Sequence, residues 1–159
     1  QVLHDAFQQH LVGGTLLFCA LFVVGNLGQI PGWLFLAAAV LALGPAWGAS
    51  VTYVAACLSC AVTFGVVRAV GADGLRTLRG RWARRMFAQL DAQPLRSVFL
   101  LRLVFQTAPV LNVALALSGI PFRPYALGTV AGLPLPIALF SIFLRTLAGW
   151  MHWPLPEGL

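Results

Sequence analysis

Residues 6–67 contain no Asp, Glu, Lys or Arg. A bilayer crossing takes roughly 20 apolar residues, so this uncharged run is long enough for about three. A water-soluble domain cannot hide such a run, because about a quarter of its residues are ordinarily charged; here 9% are charged and 60% are hydrophobic. The apolar segments show no alternation of period two, which argues against a membrane β-barrel. The expectation is an all-α integral membrane protein.

The basic residues are all Arg, and seven of the ten fall within residues 68–96 beside only Asp73 and Asp91. Such a cluster marks the cytoplasmic side of a membrane protein. Its place between apolar segments argues against a nucleic-acid partner. Leu75, Leu78, Trp82, Met86 and Leu90 recur every three or four residues, and Arg76, Arg79, Arg84 and Arg85 take the other faces. Residues 73–96 therefore read as a basic amphipathic helix and loop. The helix lies on anionic headgroups with Trp82 at the interface.

Between the charges the chain divides into spans and broken segments. Residues 11–28 read as a span and residues 48–67 as another. The stretch between them, 29–47, is uncharged but is punctuated by Gln29, Pro31, Gly44 and Pro45. Residues 97–122 are likewise apolar but hold Arg102, Gln106, Pro109, Asn112 and Gly119, and residues 124–145 make the last span. Each half runs from a proline through a glycine-bearing break and a full span to a terminal Arg: Pro31 to Arg68, then Pro109 to Arg145. Paired, Gly/Pro-interrupted segments at corresponding positions point to a transporter's binding region. The segments 29–47 and 97–122 are accordingly read as re-entrant hairpins, whose broken backbone must be buried in protein or line a wet cavity. The resulting fold is an inverted repeat of two re-entrant helical hairpins, each followed by a transmembrane helix, with an N-terminal span and an amphipathic surface helix. With two crossings ahead of Arg68, the N-terminus falls on the same face as the basic cluster.

PGWLFLAAAVLALGPAWG, followed by a span and VVRAVG, resembles the first half of a VTT domain, the domain of the DedA and SNARE-associated Golgi protein superfamily. LLRLVFQTAPVLNVALALSGIPFRPYALGTVAGLPLP resembles its second half. The resemblance covers roughly residues 25–145 and rests on the order and spacing of loose motifs. It implies hairpins entering from opposite faces and a lipid-transport role: phospholipid scrambling, or recycling of polyprenyl phosphate carriers. It also implies a multi-pass protein of the bacterial cytoplasmic membrane. DedA members nearest to carrier-lipid transport tend to have acidic residues near the first hairpin. This chain has none there, and so is more similar to the shorter branch that includes Golgi and endoplasmic-reticulum members.

The candidate substrate residues are the polar ones at membrane depth: Arg102, Gln106, Asn112, Arg145, Arg68 and Gln29. A guanidinium binds phosphate with a planar fork, and Gln106 follows Arg102 by one helical turn. The competing duties are snorkelling for Arg102, topology anchoring for Arg68 and Arg145, and capping for Gln29 and Asn112. No enzyme is expected. Gly48-Ala49-Ser50-Val51 outlines a serine-protease motif, but the three histidines, His4, His10 and His152, are near the chain ends. There is no GxxxxGK[ST] for ATP, and no cofactor or metal is expected. Cys57 and Cys60 have CxxC spacing but sit mid-span without His or carboxylate nearby, so they are read as packing residues. A non-transporting membrane scaffold remains the alternative, and a thiol or soft-metal carrier the weaker one. The lipid, a coupling ion and a homo-oligomeric state are left open.

Overall fold

Proline and glycine cut the apolar chain into helices of unequal length. The computed structural model describes residues 2–71 and 81–151. Eight helices are described: α1 (Val2–Leu27), α2 (Gly32–Leu43), α3 (Pro45–Val70), α4 (Arg81–Ala92), α5 (Pro94–Phe105), α6 (Pro109–Leu117), α7 (Phe122–Gly132) and α8 (Pro134–Trp150). Pro45, Pro94, Pro109 and Pro134 each occupy the first turn of a helix, where the missing N–H is not needed. Among the described residues, two units are long and apolar enough to cross a membrane: Pro45–Val70 and the combined Phe122–Trp150. The latter is broken at Leu133, ahead of Pro134 and Pro136. The span expected over 124–145, with Pro134 and Pro136 inside it, falls within this unit; the break comes there because proline cannot donate within a helix and crowds the preceding turn.

α1 ends at Gln29, which takes φ 66°. Gln29 N–H donates to the Asn26 carbonyl and Ile30 N–H to the Gly25 carbonyl, the paired bonds of a left-handed helix cap. The chain then reverses, and Gly25 packs against the Phe35 ring of α2. α2 reverses again at Gly44 (φ 81°, ψ 167°), a conformation essentially restricted to glycine. This single-residue corner lays α2 along α3, so that a Cβ on Gly48 would be 2.6 Å from the Ala39 backbone. Residues 29–47 thus form one helix and its corners. α2 packs chiefly along α3 and touches α1 mainly near their shared corner. The two reversals make α1 parallel to α3, so its N-terminal end is opposite the Arg68 end of α3. The sequence reading had put both on one face.

α5 breaks at Gln106, α6 follows, and Gly119 (φ 84°) returns the chain into α7. α7 runs antiparallel to α3: Ile120 meets Arg68, Tyr125 meets Cys60, and Val130 meets Tyr53. α5 runs parallel to α7. Cβ atoms on Gly128 and Gly132 would lie 2.8 Å from the Val98 side chain and 2.7 Å from that of Arg102. This Gly-x-x-x-Gly pair lets two backbones meet without side chains between them. α4 covers only the segment 81–92 of the expected basic region 73–96; Arg96 already belongs to α5, and Arg76 and Arg79 lie outside the described residues. Arg84 and Trp82 fall in α4 with side chains outside those described, and Arg85 is exposed.

The polarity of the molecule is reversed from that of a soluble domain. Val54, Leu58, Leu127, Leu139, Ile142 and Phe143 are exposed, whereas Asn26, Ser59, Arg102, Asn112 and Thr129 are buried. Two apolar clusters flank that polar layer, one around Phe22, Leu36, Ala55 and Leu133, the other around Phe64, Val98, Leu115 and Ile120.

Candidate functional site

The polar layer forms where the two broken segments meet. Thr107, in the α5–α6 break, presses its hydroxyl against Gly32 at the start of α2. Asn112 of α6 donates from Nδ2 to Asn26 Oδ1 of α1 at 3.3 Å, and Asn26 Nδ2 donates to Ser59 Oγ of α3 at 2.7 Å. Cys60 Sγ donates to Asn112 Oδ1 at 3.5 Å. These side chains tie the end of α1 and the helix α6 to the α3 midpoint, and they stay together because lipid offers these groups no alternative partner.

Arg102 lies beside this clamp with no exposed surface. Its Nε donates to Thr129 Oγ1 at 3.2 Å, Nη1 to the Gln106 carbonyl at 2.9 Å and Nη2 to the Tyr125 hydroxyl at 3.0 Å. The guanidinium also sits 5.4 Å from the Tyr125 ring centroid. Tyr125 donates in turn to the Cys60 carbonyl at 3.0 Å, and so links Arg102 to the asparagine clamp. All three partners of Arg102 are neutral. A guanidinium has five N–H donors, and two find no partner among the described residues. Residues 92–156 and 6–72 hold no carboxylate at all. A buried charge without a counter-charge is costly by several kcal/mol or more. The arrangement is that of a cation holding two N–H groups ready for an anion.

The expected site residues separate into those gathered here and those elsewhere. Arg102, Gln106 and Asn112 converge. Gln106 contributes its carbonyl to Arg102, while its side-chain amide donates to the Pro136 carbonyl at 3.4 Å. Gln29 caps α1 and is exposed. Arg68 stacks on Phe64 and donates to the Ile120 carbonyl, closing the α6–α7 corner. Arg145 is exposed on α8, about 20 Å of helical rise beyond Gly132. Cys57 and Cys60 are free thiols, and no cluster of metal-ligating side chains occurs among the described residues. Asn26, Ser59, Tyr125 and Thr129 complete the site without having been singled out from the sequence as site residues. The Gly128-x-x-x-Gly132 spacing was the available signal, since it fixes which helix lies against Arg102 and which face Thr129 shares.

The two half-repeats, the proline-led short helices and the buried Arg102 all fall inside residues 30–146, which match the profile of the VTT domain. The chain belongs to the VTT-domain family. This is the DedA and SNARE-associated Golgi family, which is membrane-associated, and the match covers most of the chain. No curated protein and no solved structure matches it significantly. Within the VTT domain, Pro31 opens the first short helix and Pro109 the second. Arg102 lies four residues before Gln106, where the break that separates α5 from α6 begins.

Proposed function

We propose that this VTT-domain protein carries a phosphate-bearing lipid, a phospholipid or a polyprenyl phosphate, across the bilayer. The observation that carries the reading is Arg102, fully buried with only neutral partners. Thr107, just ahead of α6, lies against Gly32 at the start of α2, and each helix start adds about half a positive charge. A phosphate crossing a low-dielectric core needs such a site at mid-depth, and short helices aimed at the substrate are the transporter solution. In this reading the α1–α2 and α5–α6 pairs are re-entrant hairpins dipping from opposite faces. α3 and α7–α8 are the crossings, and the two halves are an inverted repeat. The Arg-rich end of α3, α4 and α5 faces the cytoplasm. The protein acts as a multi-pass carrier without a catalytic residue or cofactor, with membrane lipids as its partners.

The test is lipid translocation by the purified protein in vesicles. Arg102→Gln is expected to lower transport at least tenfold while inserting normally, since removing an intramembrane charge does not hinder insertion. Arg102→Lys keeps the charge but cannot serve Thr129, Tyr125 and a phosphate with one planar fork, and is expected to be impaired as well. Parental rates from both variants would remove Arg102 from the pathway.

A further inference from the structure

The two hairpin tips are built differently. At Gln29 the reversal is satisfied by local backbone bonds. Gln106 instead has φ 50° and ψ −122°, outside the left-handed helical well and in territory that favours glycine. Its carbonyl is held by Arg102, while Thr107 N–H, buried beside it, has no hydrogen-bond partner among the described residues. Backbone strain of this kind persists only where the surroundings impose it. Here the imposing group is the guanidinium that the proposed substrate must reach.

Gln106 is also the inner wall of a groove of about 570 Å³. The rest of that groove is Trp33 of α2, Val104 and Phe105 of α5, and Phe140 of α8. Trp33, Val104 and Phe105 are exposed on the outer surface, at the level where the hairpin tips meet. The lining is apolar apart from Gln106, whose carbonyl holds the buried guanidinium of Arg102.

Resting on the anion-site reading, we infer that the lipid reaches Arg102 sideways through this groove, and that the Gln106 carbonyl is the plug its phosphate displaces. The apolar tail lies along Trp33, Val104, Phe105 and Phe140, and the phosphate oxygen takes the Nη1 donor now given to Gln106. Release of that carbonyl lets Gln106 leave its strained backbone, so the strain favours exchange of the plug for the ligand. The ligand is one amphiphile whose tail and phosphate bind together.

Equilibrium binding to the purified full chain tests this, with short-chain phosphatidate and inorganic phosphate as separate probes. Phosphatidate is expected to bind at least tenfold more tightly than inorganic phosphate, and Arg102→Gln to abolish that binding. Val104→Trp fills the groove from its lipid-facing side and is expected to weaken phosphatidate at least tenfold. Gln106→Gly relieves the plug, whereas Gln106→Ala keeps the strain and loses the same side chain. The glycine variant should therefore bind more weakly than the alanine variant by a factor on the order of 5 to 100. Equal affinity of the Gly and Ala variants, with binding still dependent on Arg102, overturns the plug. Parental affinity in a monodisperse Val104→Trp protein, or inorganic phosphate binding as tightly as phosphatidate, overturns the lateral route. Unchanged binding in Arg102→Gln sinks the anion site itself, and the route with it.

Discussion

Tyr125 shows how much one hydroxyl holds together. It accepts from Arg102 Nη2 and donates to the Cys60 carbonyl, and its ring stacks on Phe64 at 4.4 Å. Tyr125→Phe keeps the ring and strands two buried polar groups. It should cost about 1–3 kcal/mol, read as earlier thermal unfolding in detergent, and it should lower phosphate affinity by loosening Arg102. A residue serving only as apolar filler would show neither effect. Arg102 was identifiable from sequence because an Arg inside an apolar run needs a reason to be there. Tyr125 was not, because a tyrosine near the end of a span is ordinary at a membrane interface. Only the return of α7 antiparallel along α3 brings its hydroxyl to Cys60. Asn26 is a similar case. It is one polar residue in a long apolar run, and its bonds to Ser59 and Asn112 depend on elements 33 and 86 residues away.

At the scale of the helices, closeness is set by glycine. Gly48 admits the α2 backbone at a distance no Cβ allows, whereas Gly65, on the same helix, has nothing within 4 Å of a built Cβ. Gly48→Ala should therefore force α2 off α3 and cost about 1–3 kcal/mol, the usual penalty of overpacking. Gly65→Ala should be neutral or stabilising by up to about 1 kcal/mol from helix propensity. Thermal unfolding of the two variants side by side checks the contrast; equal losses would mean that the close approach of α2 contributes nothing. The sequence marked the breaks, since Pro31, Gly44, Pro45, Pro109 and Gly119 all fall at helix ends. It did not show which arms pair. Laying α2 along α3 depends on the close approach of Gly48 to Ala39, which no local propensity encodes.

Over the whole molecule, direction is the main consequence. With α1 parallel to α3, the N-terminus lies at the end away from Arg68, Arg85 and Arg96. On the proposed topology, with the Arg-rich end inside, a reporter fused ahead of residue 1 is expected to signal from outside the cytoplasm; a cytoplasmic signal would mean that α1 crosses completely and is not half of a hairpin. The sequence by itself determined the solvent, since 62 consecutive residues without a charge cannot remain in water. It also determined the helix breaks, because proline and glycine act within a turn, and it pointed to Arg102. The tertiary structure alone decided that the end of α1 and α6 meet at the middle of α3, that a tyrosine and a threonine hold the guanidinium, and that Arg145 and Gln29 stand apart from it. The physical reason is range. Hydropathy and backbone propensity are local and can be read along the chain, whereas a buried polar site joins groups up to 86 residues apart, gathered by packing because lipid will not hydrogen-bond them.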